Sequence, residues 1–343
     1  MQIPVNIQSD SCPPASLVIG VDVAKDSLVI ACYTGQASQT KPITIANTPS
    51  GIKAWLKTLP SKAAIAMEST GKYQLELASL AHGAGHSVYV LNAMDIYHYG
   101  KSLGQRGKTD RLDSQLIAQY LAKNGDKLRL WQPTPAHLLQ LRALLRSRSH
   151  LADTNAKLKM ALKDVKALGA QSKALDKKFK QTMEFIDAQV QRLIAADTAL
   201  ATNYKLLRTI NGVGPQGAAL LTTVLSRIKF ENADALIGFS GLDPLPEDSG
   251  QKQGKRRLSK RGDAMIRRQM WLCAMAASRS VVFKPIYQAL QQRGIPKIAA
   301  LVVIARKLLR IAFAVCKSGK AFDGSLVGAQ VIAGGSSLVT INV

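Results

Sequence analysis

The stretch Leu17–Cys32, LVIGVDVAKDSLVIAC, restricts the fold of this chain more than any other. Apart from a break at Lys25–Ser27 it is almost continuously apolar and rich in valine and isoleucine, as expected of strands covered on both faces. Asp22 sits in the middle of its first half, between Val21 and Val23. A lone carboxylate taken out of water costs several kcal/mol or takes up a proton. Any fold built on this run must therefore give Asp22 a partner.

The surrounding pattern predicts a mixed α/β sheet. AKDS reads as the turn of a hairpin, KPITIAN as a third short strand, KAAIAMEST as a fourth and HSVYVLN as a fifth. Between them PSGIKAWLKTL opens a helix behind Pro49, and GKYQLELASLAHGAG is a helix ended by glycines. Three strands followed by alternating helix and strand give a sheet with helices on its faces. In GKTDRLDSQLIAQYLAKNG, Leu112, Leu116, Ile117, Tyr120 and Leu121 recur at helical spacing up to Gly125.

Beyond Pro135 the texture becomes helical. Apolar positions three or four apart (Leu138, Leu141, Leu145, Leu158, Leu162, Val165, then Phe179, Met183, Ile186, Val190, Leu193, Ile194) predict two long helices, Pro135 to Gly169 and about Ser172 to Leu200. Joined near Gly169, they form an antiparallel hairpin or half of an intermolecular coiled coil, an arm or oligomerisation element. After Tyr204, LLRTINGVGPQGAALLTTVL has the two-glycine turn of a helix-hairpin-helix, in which Gly212 and Gly214 let backbone amides approach a phosphate. A purely packing turn is the alternative. Two further helices are expected, roughly Asp263 to Ser278 and Pro296 to Lys317; the latter carries an apolar stripe from Ile298 to Leu309 and a basic outer face.

The net charge of +24 points to a polyanionic partner, nucleic acid or an anionic membrane face. Residues 1–100 hold six Lys and Arg against six Asp and Glu, so the remaining 40 against 16 account for all of it. Cys12, Cys32, Cys273 and Cys316 lie far apart with no neighbouring histidine, and the five histidines have no metal-ligand spacing. The start lacks a basic segment followed by an apolar one, and Ile295–Val315 is too interrupted by charge to span a bilayer. These features imply an intracellular, cytoplasmic protein with no membrane partner.

Asp22 has candidate companions. Glu68 ends the fourth strand, and Asp110 and Asp113 stand three apart at a helix start, so both can project from one face. Four converging carboxylates suit one or two Mg²⁺ ions, which prefer hard oxygen ligands and support phosphoryl transfer. Three of the acids also have plainer explanations, Asp110 and Asp113 as a helix cap and its first-turn acid and Glu68 as the opening of the next helix, while Asp22 is the hardest to explain structurally.

Asp22 in IGVDVAKDSL, Glu68 in MESTGKY, and Asp110 with Asp113 in KTDRLDSQLIA resemble the Asp-Glu-Asp-Asp tetrad of the insertion sequence 110 family of transposases. The two-glycine turn and GFSGLDP resemble that family's C-terminal domain, and the resemblance runs from about Ser16 to Phe322. It implies a ribonuclease H-like, junction-resolvase-like domain over 16–130, a helical hairpin or coiled coil over 135–200, and a mainly α C-terminal transposase domain over 201–325. It further implies Mg²⁺, a structured noncoding guide (bridge) RNA from the element, donor and target DNA, and a tetramer in which the tetrad and a nucleophilic serine meet across subunits. In EDSGQKQGKRR that serine role falls on Ser249, and attack on a phosphodiester would leave a covalent phosphoserine link.

A serine hydroxyl is a poor nucleophile unless a base or metal activates it, and Ser249 in an Asp-Ser-Gly turn is the plain alternative. Ser240 and Ser259 are weaker candidates. Lys252, Lys255, Arg256, Arg257, Lys260 and Arg261 follow within ten residues, a density suited to clamping phosphates without reading bases. Two other classes remain open: a metal-dependent junction-resolving nuclease that uses water in place of Ser249, and a non-catalytic RNA or DNA scaffold.

Overall fold

A computed structural model describes residues 17–33, 35, 41–60, 62–69, 71, 73–104, 109–245 and 257–327. The chain divides into two units, one ending at Pro133 and the other beginning at Thr134.

In the first unit β1 (Leu17–Val23) and β2 (Ser27–Tyr33) form the expected hairpin, its turn closed by the Ala24 amide donating to the Ser27 carbonyl at 3.0 Å. β3 (Ile43–Ala46) adds antiparallel to β2. β4 (Ala63–Glu68) and β5 (Ser87–Leu91) extend the other side of β1 in parallel, giving the order β3-β2-β1-β4-β5. Parallel neighbours need crossovers, and the helices α1 (Pro49–Leu56) and α2 (Gln74–Gly83) lie in the connections before β4 and β5. Thr48 caps α1 by accepting from the Gly51 amide, and Pro49 occupies its first turn.

Strand alternation sorts the sheet into two layers. Ile19, Val21, Val23, Ile65 and Met67 join Ile52, Trp55, Leu77 and Ala81 in one core, the layer of α1 and α2. Ala64, Ala66, Tyr89 and Leu91 face the other way, against Ile96 of α3 (Ala93–Ser102) and Leu116, Ile117 and Leu121 of α4 (Asp110–Asn124). The apolar pattern announces α4 but not α3, which buries only Ile96 and Gly100 and so leaves little periodicity to read.

Among the described residues the second unit is helical apart from one short hairpin. α5 (Ala136–Leu162) and α6 (Gly169–Ala195) run antiparallel within one chain: Arg148 pairs with Asp187 at 2.5 Å, and further along α5 Asn155 and Lys159 pair with Asp176, earlier on α6. Leu138, Leu141 and Leu145, with Ile186, Val190 and Ile194, belong to the same core as the helices that follow. By its contacts the pair is therefore continuous with the C-terminal helices. The sequence pattern carries α6 to Leu200, whereas Asp197 caps a new helix, α7 (Thr198–Arg208), by accepting from the amides of Ala199 and Leu200.

A tight turn leads from α7 to α8 (Pro215–Arg227), followed by α9 (Ala233–Ser240), the two-residue strands β6 (Pro244–Leu245) and β7 (Arg257–Leu258), α10 (Ala264–Ala277), α11 (Lys284–Gln292) and α12 (Lys297–Ser318). In the α7–α8 turn Gly212 has φ +89° and a Cβ there would stand 2.5 Å from Ala277. α10 itself thus demands that glycine. Gly214, the residue before α8, has φ −74° and open space around its Cβ position.

Candidate carboxylate site and its relatives

Register places two of the four predicted acids side by side. β1 and β4 pair in parallel up to Val21 opposite Met67, so Asp22 and Glu68 are the next residues along on adjacent strands. Both alternate with residues of the α1–α2 core and therefore belong to the face covered by α4. Asp22, Glu68 and Asp113 are each half-buried, and each has interactions within the fold; Asp110 is exposed.

α4 is brought to this face by Gly20, two residues before Asp22. A Cβ at Gly20 would lie 2.2 Å from the Ser114 carbonyl oxygen and 2.3 Å from the Ala118 amide, so the helix rests directly on the strand backbone. Asp113 precedes Ser114 and lies within a turn of the crossing. The helix starts where it does because Thr109 caps it, accepting from the Leu112 amide at 3.3 Å. Asp110 is thus a first-turn residue and not the cap, and both aspartates favourably face the positive end of the helix dipole.

Among the described residues no three His, Cys, Asp or Glu side chains stand close enough to hold a metal ion together. The backbone brings the strand ends and α4 to one face, and all-carboxylate donors have the right chemistry for Mg²⁺. The side chains are not gathered into the ready-made four-ligand cluster that the sequence pattern suggested.

In the second unit Ser249, Lys252, Lys255 and Arg256 lie outside the described residues. What holds the chain on either side of them is clear. Pro244 pairs with Leu258 and Leu245 with Arg257, the Ser259 amide donates to the Asp243 carbonyl at 2.9 Å, and the Ser259 hydroxyl donates to the Asp243 carboxylate. Next to this, Gly241 and Gly262 interlock. A Cβ on Gly262 would stand 2.0 Å from the Phe239 carbonyl oxygen, and one on Gly241 2.7 Å from the Gly262 amide. Arg267 crosses the junction to the carbonyls of Ser240 and Gly262. Ser259 is thereby occupied as a brace, and Ser240 is fully buried with its hydroxyl on the Ile237 carbonyl. Arg257, Lys260 and Arg261 are exposed at the hairpin's C-terminal side. The Asp243–Ser259 brace carries no sequence signature beyond a polar residue in each strand flank.

Comparison with known proteins identifies the class. A family model described as "Transposase" matches residues 19–168, and one described as "Transposase IS116/IS110/IS902 family" matches 204–288. The pilin gene-inverting proteins of Moraxella lacunata and Moraxella bovis are each 30% identical over 319 residues, covering 89% of this chain and 97% of theirs. The insertion element IS110 uncharacterized 43.6 kDa protein of Streptomyces coelicolor is 27% identical over 143 residues, 41% of this chain and 34% of its own. A solved structure of T. thermophilus RuvC in complex with Holliday junction substrate matches at a TM-score of 0.27 and 15% identity, covering 34% of this chain and all of that one; the score is too low to transfer fold or chemistry. The first class to which the chain is assigned is that of transposases, enzymes that break and rejoin DNA. Within it, the chain belongs to the IS110 family. Among the described residues no helix is long and apolar enough to cross a membrane.

Proposed function

We propose that this transposase mobilises an insertion sequence through a covalent protein–DNA intermediate formed on Ser249. The Ser249 Oγ–P bond forms as the P–O bond to one DNA strand breaks; the hydroxyl proton is lost and the leaving oxygen gains one. The reverse attack by a strand end restores the hydroxyl, so the phosphodiester energy is conserved. Asp22, Glu68, Asp110 and Asp113 would hold Mg²⁺, which when bound supplies charge neutralisation at the phosphate. The observation that carries this reading is the register: Asp22 and Glu68 lie side by side on the face covered by the helix whose first turn bears Asp110 and Asp113. The strand order, with β1–β3 antiparallel and β4–β5 parallel, supports a ribonuclease H-like fold for this unit.

In the same reading, Gly212 and Gly214 form the turn of a helix-hairpin-helix beside nucleic acid, and Lys252, Lys255, Arg256, Arg257, Lys260 and Arg261 clamp phosphates near the cleaved strand. Such contacts do not read bases, so site choice falls to a bridge RNA encoded by the element. α5 and α6 form the coiled-coil arm of a tetramer that brings a carboxylate site and a Ser249 from different copies together. The test is incubation of the full chain with element DNA, Mg²⁺ and its co-purified RNA. A covalent DNA adduct abolished by both Ser249→Ala and Asp22→Asn is expected. Adduct formation by Ser249→Ala overturns the nucleophile assignment, and free hydrolysed ends in place of an adduct favour a junction-resolving nuclease.

A further inference from the structure

From Ala264 to Phe322 the sequence holds eleven Lys and Arg and not one Asp or Glu. Within this span an open groove of about 480 Å³ lies between the end of α10, α11 and the start of α12. Arg279 and Lys284 stand on it, both exposed, and neither side chain has an ion-pair or hydrogen-bond partner among the described residues. Tyr287 and Gln291 line it as well, the Gln291 amide donating to the tyrosine oxygen at 3.2 Å, which leaves that amide a second N–H and its carbonyl free. Met275 and Leu301 contribute apolar surface. α11 buries no residue fully, although its apolar and polar positions are sharply segregated.

We propose that this groove binds one nucleotide of a single-stranded or looped nucleic acid. Arg279 and Lys284 take the phosphodiester, Tyr287 offers a ring face to the base, and Gln291 offers an amide to its edge. The inference rests on the reading that the chain handles nucleic acid, and it concerns a site separate from the carboxylates and from the hairpin at Asp243–Ser259. Two exposed cations without a protein partner among the described residues suit an anionic group, and the groove is large enough for one of nucleotide size. Unpaired bases stacked on an aromatic side chain beside a cationic groove are the usual means of holding single strands.

The test is anisotropy with the full chain and two twelve-nucleotide probes of one sequence, single-stranded DNA and RNA, over a salt series. Arg279→Ala/Lys284→Ala should weaken binding about tenfold at 0.1 M salt and lower the salt slope by about 1.4, roughly 0.7 for each lost phosphate contact. Lys173→Ala/Lys177→Ala on α6 removes the same charge and should cost much less. Tyr287→Leu should weaken binding about fivefold or more with the slope unchanged. A loss with either probe supports the site, and the probe that loses more identifies the strand. If the wild-type chain binds but the groove variants lose no more than the α6 control, the groove assignment falls while the nucleic-acid reading stands; if the wild type binds neither probe, both fall. Photocrosslinking of a thio-substituted probe gives an independent check: crosslinks in α11 support the site, and crosslinks confined to other helices overturn it.

Discussion

Gly20 of β1 and Ser114 of α4 are in backbone contact, with no room for even a methyl group between them. Gly20→Ala would place its Cβ 2.2 Å from the Ser114 oxygen, so α4 must move away from the strand. Overpacking of this kind costs about 1–3 kcal/mol, and here the obstacle is backbone on both sides, which puts the cost at the upper end. Calorimetry should show a lowered transition for the first unit, and DNA cleavage should fall further than stability alone explains, because Asp110 and Asp113 move with the helix.

The two glycines of the α7–α8 turn should separate packing from binding. Gly212→Ala meets both a positive φ and Ala277 of α10, and is expected to destabilise by about 2 kcal/mol or more. Gly214→Ala meets neither and should leave the melting temperature nearly unchanged. Any weakening of nucleic-acid affinity in Gly214→Ala then reports on the approach of backbone amides to phosphate. Unaltered affinity would remove Gly214 from the interface.

The long apolar runs are what made the fold legible. Asp22 within VIGVDVA and Glu68 at the end of AAIAME mark strands whose residue types leave little choice, and parallel pairing then sets the two acids side by side. The helices missing from the sequence pattern, α3, α9 and α11, are eight to ten residues long and bury three residues at most, too few to establish a period. The groove at Arg279 and Lys284 was visible only as an absence of acids over 59 residues, which says nothing about shape until α11 folds beside α12. Of the carboxylate pattern, the backbone placement on one face is what the strand and helix signals convey, and among the described residues no three such side chains stand close enough to hold a metal ion together.

His86 couples the first unit to pH. It is buried, its Nδ1 accepts from the Ala63 amide at 3.2 Å, and burial lowers its pKa below 6.5. The unfolded chain therefore binds a proton at a pH where the folded chain does not, and stability falls as pH drops below 6.5 toward the folded value. Above 6.5 the contribution is complete. His86→Asn keeps an acceptor near the Nδ1 position without the titration, so its melting temperature should change less than the wild type's between pH 7 and pH 5.5. Identical pH profiles would exclude His86 as the source.

Asp176 acts in the same direction in the second unit, in a more acidic window. Hydrogen bonds from Lys159, Asn155 and Lys180 hold its carboxyl well below the usual carboxylate range. A depressed folded pKa contributes stability above the unfolded value of 3.8 and loses it as pH falls through the folded one. Asp176→Asn should accordingly loosen the α5–α6 pair at pH 7, and the difference from wild type should shrink below pH 4. Hydrogen exchange along α5 near Asn155 is the direct readout, and equal protection in both proteins at pH 7 would show that the three partners do not hold the helices together.

Ser259 and Asp243 pair beside the β6–β7 strands, and the roles of Ser259 and Ser249 separate cleanly in one assay. The Ser259 hydroxyl donates to the Asp243 carboxylate and its amide to the Asp243 carbonyl, so the side-chain bond reinforces a pairing the backbone already makes. Hydrogen bonds to charged groups contribute about 1.5–3 kcal/mol, less where water competes as it does at this half-buried pair. Ser259→Ala should therefore slow adduct formation by no more than about tenfold, since 1.36 kcal/mol is one decade of rate, whereas Ser249→Ala should abolish it. Asp243→Asn keeps an acceptor for the hydroxyl and should fall between wild type and Ser259→Ala. Were Ser259→Ala instead to eliminate the covalent product while Ser249→Ala retained it, the nucleophile would sit at the hairpin's base and the order of the two serines in the mechanism would be reversed.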